Sequence, residues 1–189
     1  MKIEKKIRCS WCEKNELYRN YHDTEWGQPA FNDDYLFELL LLETFQAGLS
    51  WYTILAKREN FRLAFDNFDY LKISKYKSDK IELLLNDAGI VRHKLKINAA
   101  VINAQMFICI QAEYGSFSNY IWQFVDKKPV INMPQNTADI NATSALSNLI
   151  SKDLKSKNFK FVGSTVVYSF LQAVGIINDH VADCWVRNL

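Results

Sequence analysis

The sequence predicts an all-α fold on three observations. Nearly every hydrophobically periodic segment repeats at three and four residues, glycines stand where those segments stop, and no hairpin dipeptide separates two alternating runs. The chain has 189 residues, 49% hydrophobic and 14% aromatic. That is enough for one domain, or two closely packed lobes, to bury a sizeable core.

The elements follow in order. Cys9 to Asp23 is irregular apart from one short helix carrying Tyr18, Tyr21 and His22. Asn32 caps the next helix, whose first turn holds Asp33 and Asp34 where the macrodipole favours acid. Its body, YLFELLLLETFQA, is apolar almost all round and so predicts burial, with Gly48 as its stop. Ser50 caps a helix running to about Phe65, with Lys57, Arg58, Glu59 and Arg62 on a charged face. Ser78 opens DKIELLLNDA, which Gly89 closes. A long pattern from about Arg92 to Tyr114 ends at Gly115, and a short helix, SNYIWQFV, leads to an extended loop from Asp126 to Thr143. Ser144 caps ALSNLISKDLKSK. The turn KFVG then opens a last apolar helix closed by Gly175, and the chain reaches His180 and Cys184, whose spacing of four predicts a shared helix face.

The formal net charge is only +2, so the total says little about partners. Its distribution says more. Lys152, Lys155, Lys157 and Lys160 crowd ahead of the KFVG turn, and Arg92, Lys94 and Lys96 form a second patch. Each reads as solvated surface or as a phosphate-binding footprint. Four cysteines do not make a disulfide framework, there is no secretory segment, and no unbroken apolar run reaches bilayer length. The expectation is a reduced, soluble, cytoplasmic protein with no membrane contact.

Three constellations carry chemistry. His180 and Cys184 could share one ion with His22 and either Cys9 or Cys12, and four Cys or His ligands would close a tetrahedral zinc site, making it structural. The bland reading of the same residues is buried thiols and satisfied histidines. Glu43 is an acid on the apolar face formed by Leu36, Leu39, Leu40 and Ala47, either satisfied by a neighbour or held in a pocket for a ligand. Tyr18, Tyr21, Trp26 and Trp51 are its aromatic candidates. Lastly, KFVGST places Lys160 and Gly163 at the start of a helix whose free N–H groups suit a phosphate, although Ser164 and Thr165 could equally cap it.

CSW at Cys9, YHDTEWG at Tyr21 to Gly27, ETFQAGLSW at Glu43 to Trp51, KRENFR at Lys57 to Arg62, DAGIVRHKLKI at Asp87 to Ile97 and KFVGSTVVYSFLQAVGIINDHVADC occur in order. Together they resemble the 3-methyladenine DNA glycosylase I (Tag) family of the helix-hairpin-helix superfamily. The resemblance implies a monofunctional, monomeric N-glycosyl hydrolase that flips 3-methyladenine out of double-stranded alkylated DNA for base-excision repair. It implies a single helical unit over residues 1–189, with a zinc-bound lobe from both chain ends packed on a central helical lobe. Zinc falls to Cys9, His22, His180 and Cys184, displacing Cys12. The base pocket falls to Glu43, Tyr18, Tyr21, Trp51 and Trp26, with Glu43 as catalytic residue. DNA contact falls to Gly48 and Leu49 at a loop tip, and to Lys160, Gly163, Ser164 and Thr165 in the hairpin.

The chain departs from the superfamily in two places. Asn158 and Phe161 occupy hairpin positions usually held by glycine, and Asn178 stands where other branches carry a catalytic Asp. The alternative is a zinc-stabilised helical DNA-binding module without catalysis, which leaves a buried glutamate ringed by aromatics unexplained. A zinc hydrolase is disfavoured, because four protein ligands leave no open coordination position.

Overall fold

Asparagine and serine caps set most of the frame. The computed structural model describes residues 6–188. After a short 3-10 turn at Ser10–Lys14, Asn15 accepts the Tyr18 N–H and opens α1, Glu16–Thr24. Asn32 accepts the Tyr35 N–H at 2.9 Å and opens α2, Asp33–Gln46. Ten consecutive residues of α2, Leu36 to Phe45, are buried, Glu38 and Glu43 among them. This is the central helix.

The stretch expected as one helix from Ser50 to Phe65 is two, α3 (Trp51–Leu55) and α4 (Arg58–Ala64). Lys57 leaves helical geometry at φ −104°, ψ 3°, and α4 restarts with its arginines turned inward. Arg58 Nε donates to Glu38 at 2.6 Å and its Nη1 to Glu25, while Arg62 Nη2 reaches Glu38 at 2.7 Å. The face read as simply charged therefore closes a part-buried ion network against α2. Two elements had no signal: a left-handed turn at Asp66–Phe68, and α5, Tyr70–Ile73, capped by Asp69. In α6, Ser78–Asn86, Ser78 is the first helical residue and Lys77 holds the cap position. Gly89 lies beyond the C-cap Asp87, whose carboxylate takes the Gly89 N–H at 2.7 Å.

α7, Lys94–Tyr114, is the longest helix described, capped by His93 and stopped by Gly115 at φ 81°. It is long and apolar enough to cross a membrane by length and composition, yet half of that window is buried against α2, α5, α6 and α8 (Phe117–Trp122). The extended loop then carries a short strand, β1 (Val130–Ile131), and a 3-10 turn at Thr137–Asp139. A Ser144–Ser147 capping box opens α9, Ala145–Ser156, and α10 spans Ser164–Ala173. Gly175 ends α10 at φ 70°, and a Cβ there would lie 2.3 Å from the Gln28 carbonyl carbon, so only glycine allows this approach.

After Gly175 the described residues form no further α-helix, only a 3-10 turn at Trp185–Asn188. The chain first forms β2, Ile177–Asn178, paired in parallel with β1, the one sheet among the described residues and a small exception to the all-α reading. His180 and Cys184 lie in irregular backbone beyond β2, so the helix face expected for them is absent. The large apolar core is built on α2, α7 and α10. A smaller cluster of Cys9, Tyr18, Tyr21, Trp26, Val181 and Cys184 draws on both ends of the chain.

Candidate functional site

A pocket of about 350 Å³ opens between α1, α2 and α10. Tyr18 and Tyr21 come from α1, Trp26 from the turn after it, Glu43 from α2 and Trp51 from α3, so four segments line one space. Six further residues complete the wall: Trp11, Gln46, Thr137, Ile140, Ser169 and Gln172. Gln46 is three residues from Glu43, and Ser169 and Gln172 are three apart on α10, so helical spacing offered a signal for these. Thr137 and Ile140 come from the irregular loop, where periodicity is silent. Trp11 meets Tyr18 and Trp26 edge-on at 5.4 and 5.1 Å, and Tyr21 leans on Trp51 at 5.4 Å.

Glu43 is 3% exposed, and its Oε2 has no hydrogen-bond partner. Burial pushes its carboxyl well above the ordinary range, because water no longer stabilises the charged form. Burial also raises the Tyr21 phenol, with the Glu43 charge the next contribution. Trp51 Nε1 is a second buried polar atom without a partner. Among the residues lining the pocket Glu43 is the one carboxylate, so the cavity combines aromatic walls, one orphaned acid and one orphaned N–H donor.

Behind the pocket, ligand atoms of Cys9, His22, His180 and Cys184 lie within 4.8 Å of one another, all buried, and could hold a metal ion. Cys184 Sγ is 3.5 Å from His22 Nε2 and 3.4 Å from His180 Nδ1, and Cys9 Sγ is 3.7 Å from His180 Nδ1. The opposite ring nitrogens are occupied. His22 Nδ1 meets Asp23 Oδ1 at 2.8 Å and His180 Nε2 meets the Trp26 carbonyl at 3.0 Å, which leaves each bare nitrogen facing the sulfurs. The two neighbouring thiols act on each other, which pushes Cys9 up and holds Cys184 down, with the His180 and His22 rings adding to the lowering of Cys184. Cys12 is excluded, since its thiol donates to the Cys9 carbonyl at 3.1 Å.

Two loops carry the residues expected to meet DNA. Gly48, at φ 81°, and the exposed Leu49 line a smaller hollow with Glu43 and Thr165. In the turn before α10, Asn158 and Phe161 adopt φ 70° and 55°, so the left-handed positions are filled without glycine. Gly163, at φ −62°, has open space where a Cβ would sit. Lys160 is exposed, and its Nζ donates to Asn158 Oδ1 at 2.6 Å. Ser164 Oγ pairs with Ser147 Oγ at 2.8 Å, and Thr165 faces outward. Lys157 is not free, because it pairs with Glu113 at 3.1 Å beneath the Tyr114 ring. Lys96 leaves the second basic patch altogether, being buried. Asn178 brackets the backbone, accepting the His180 N–H and donating to the Arg187 carbonyl. Asp179 is saturated by Asn132, Tyr168 and Gln172, each at 2.7 Å.

Residues 11–188 match the family model described as methyladenine glycosylase. The chain is 42% identical over 177 residues to the DNA-3-methyladenine glycosylase 1 of Escherichia coli, covering 94% of this chain and 95% of that one. It is 40% identical to the DNA-3-methyladenine glycosylase of Haemophilus influenzae, with 94% and 96% covered. A solved structure of 3-methyladenine DNA glycosylase I from Staphylococcus aureus, on the structural basis of 3-methyladenine recognition, superposes with a TM-score of 0.92 at 39% identity over 95% of this chain and 96% of that one. The chain belongs to the methyladenine glycosylase family.

Proposed function

We infer that this chain is a DNA-3-methyladenine glycosylase of base-excision repair, releasing 3-methyladenine from alkylated DNA by hydrolysis. The observation that carries the reading is the orphaned Glu43 carboxyl in an aromatic pocket with room for a base. Alkylation at N3 leaves adenine cationic and weakens its bond to deoxyribose, so the base departs neutral and needs no strong acid. In the reaction the C1′–N9 bond breaks with its electrons passing to the base, water adds to C1′, and a proton goes to solvent. The enzyme's work is selection and positioning of the flipped base. We assign Glu43 to the cation by charge and hydrogen bonding, and Tyr18, Tyr21, Trp26 and Trp51 to enclosure through their ring faces. Asn178 and Asp179 are bonded into the backbone and a buried network, which leaves Glu43 as the carboxylate facing the base.

Gly48 and Leu49 are assigned to the gap left by the flipped nucleotide, and Lys160, Gly163, Ser164 and Thr165 to the phosphates. The ion is assigned as zinc with a structural role. A tetrahedral zinc with bonds of ordinary length places sulfur and nitrogen ligands about 3.6 Å apart, and the three S–N separations run from 3.4 to 3.7 Å. Four protein ligands close its coordination, so zinc would pin both chain ends as a lobe on the central helical lobe, within one unit. The same orphaned acid counts against a non-catalytic DNA-binding module, which has no use for it. The test is release of free base from methylated duplex. No release by a folded, metal-loaded chain refutes the reading.

A further inference from the structure

Lys96 is 6% exposed on α7, and the described residues offer it no carboxylate. Its Nζ donates to the Phe45 carbonyl at 2.8 Å and the Ala47 carbonyl at 2.6 Å, the terminal carbonyls of α2 immediately before Gly48 and Leu49. Burying an ammonium opposes folding, and an apolar side chain would fill the same space with less penalty. What the lysine adds is directional: it fixes the exit of α2, and with it the loop tip.

Asn103 does the same at the other loop. It is 3% exposed, its Oδ1 accepts the Lys160 N–H at 2.7 Å, and its Nδ2 donates to the Lys160 carbonyl at 3.0 Å. The side-chain amide thus pairs with backbone as a neighbouring strand would. It brackets a turn that holds Phe161 in a left-handed conformation such a residue rarely takes. Lys96 and Asn103 are seven residues apart on one 21-residue helix, which is two turns, one face and a rise of about 10 Å.

We propose that α7 is a ruler that sets the spacing between the Leu49 loop and the Lys160 hairpin, with Lys96 and Asn103 as its positioning residues. This rests on the assignment of both loops to DNA. A duplex engages the wedge and the phosphate grip together, so the two must be presented at one fixed separation before binding.

The experiment compares wild type, Lys96→Met, Lys96→Arg and Asn103→Leu in two assays: affinity for free 3-methyladenine, which reads the pocket alone, and single-turnover base release from methylated duplex below saturation. Lys96→Met and Asn103→Leu are expected to bind the free base within twofold of wild type. Their release from duplex should fall by about tenfold. Lys96→Arg keeps N–H donors for the two carbonyls and should recover to within threefold. Release within threefold of wild type for Lys96→Met or Asn103→Leu overturns the ruler. So does loss of free-base affinity in parallel, or failure of either variant to fold, since either outcome makes the residue a core member only. A wild-type protein that releases no base overturns the proposed function instead.

Discussion

Glu43→Gln isolates the charge from the shape. The amide keeps the volume and one acceptor but loses the negative charge in a site where Oε2 has no protein partner. A hydrogen bond to a charged group contributes roughly 1.5 kcal/mol more than a neutral one, and a unit charge pair at about 4 Å in a medium of effective dielectric near 20 adds up to about 4 kcal/mol before desolvation. A net loss near 2.7 kcal/mol is the expected middle ground, which is about a hundredfold in single-turnover excision. Stability should move the other way. An unfolded glutamate ionises near pH 4.3, whereas burial keeps native Glu43 protonated to higher pH. As pH rises through that window the unfolded chain releases a proton that the native chain retains, so wild-type stability falls and the Gln variant's does not. The advantage of Glu43→Gln in melting temperature therefore grows from pH 4 toward neutrality. The assay pair is excision and thermal melting across pH. A fall in excision below threefold, or a Gln variant that melts lower at pH 7, would refute the electrostatic role.

Further expectations concern the metal, the loops and pH. Cys184→Ser should lose most of the bound zinc and lower the melting temperature; elemental analysis still showing one ion per chain would contradict the ligand set. Lys160→Ala should weaken binding to undamaged duplex and reduce the slope of log affinity against log salt by about 1, as one phosphate contact is lost; an unchanged slope speaks against contact. Leu49→Ala should weaken binding to duplex carrying an abasic-site analogue while shifting the melting temperature by under 2 °C, because Leu49 is 42% exposed; a large melting shift would make it a core residue. Wild-type excision should rise with pH until Glu43 ionises and then level, with Glu43→Gln flat, since the cationic base needs the charged form; parallel profiles would count against this.

The caps made much of this fold legible. Asn32, Ser50 and Ser144 each accept the N–H their sequence position foretold, and Gly48, Gly115 and Gly175 all take the positive φ that stops a helix. Reading failed where tertiary partners overrode local pattern. Nothing periodic in LAKREN announces the break at Lys57, after which Arg58 reaches Glu38, twenty residues away. The fate of the basic residues was equally hidden. Charge runs do not reveal that Lys157 is held by Glu113 or that Lys96 turns inward to two carbonyls. The spacing of four between His180 and Cys184 suggested a helix, yet an irregular turn after β2 brings both to the sulfur–imidazole cluster. Pocket residues on helices had a spacing signal, whereas Thr137 and Ile140 depend on a loop whose course the pattern does not encode.

The thiol and imidazole of Cys9 and His180 meet across 171 positions of chain. Closing a loop of that length costs about 4.5 kcal/mol in chain entropy, which the contacts between the two chain ends must offset. The aromatic wall carried by α1 belongs to the smaller cluster that this closure completes, not to the large core. The proposed ion would hold that wall shut. When the ion is withdrawn, the wall should open as a local unfolding event while α2, α7 and α10 stay packed. Metal depletion would then leave a protein that is still mostly folded and still carries its DNA-facing loops, but no longer distinguishes a damaged base from a normal one.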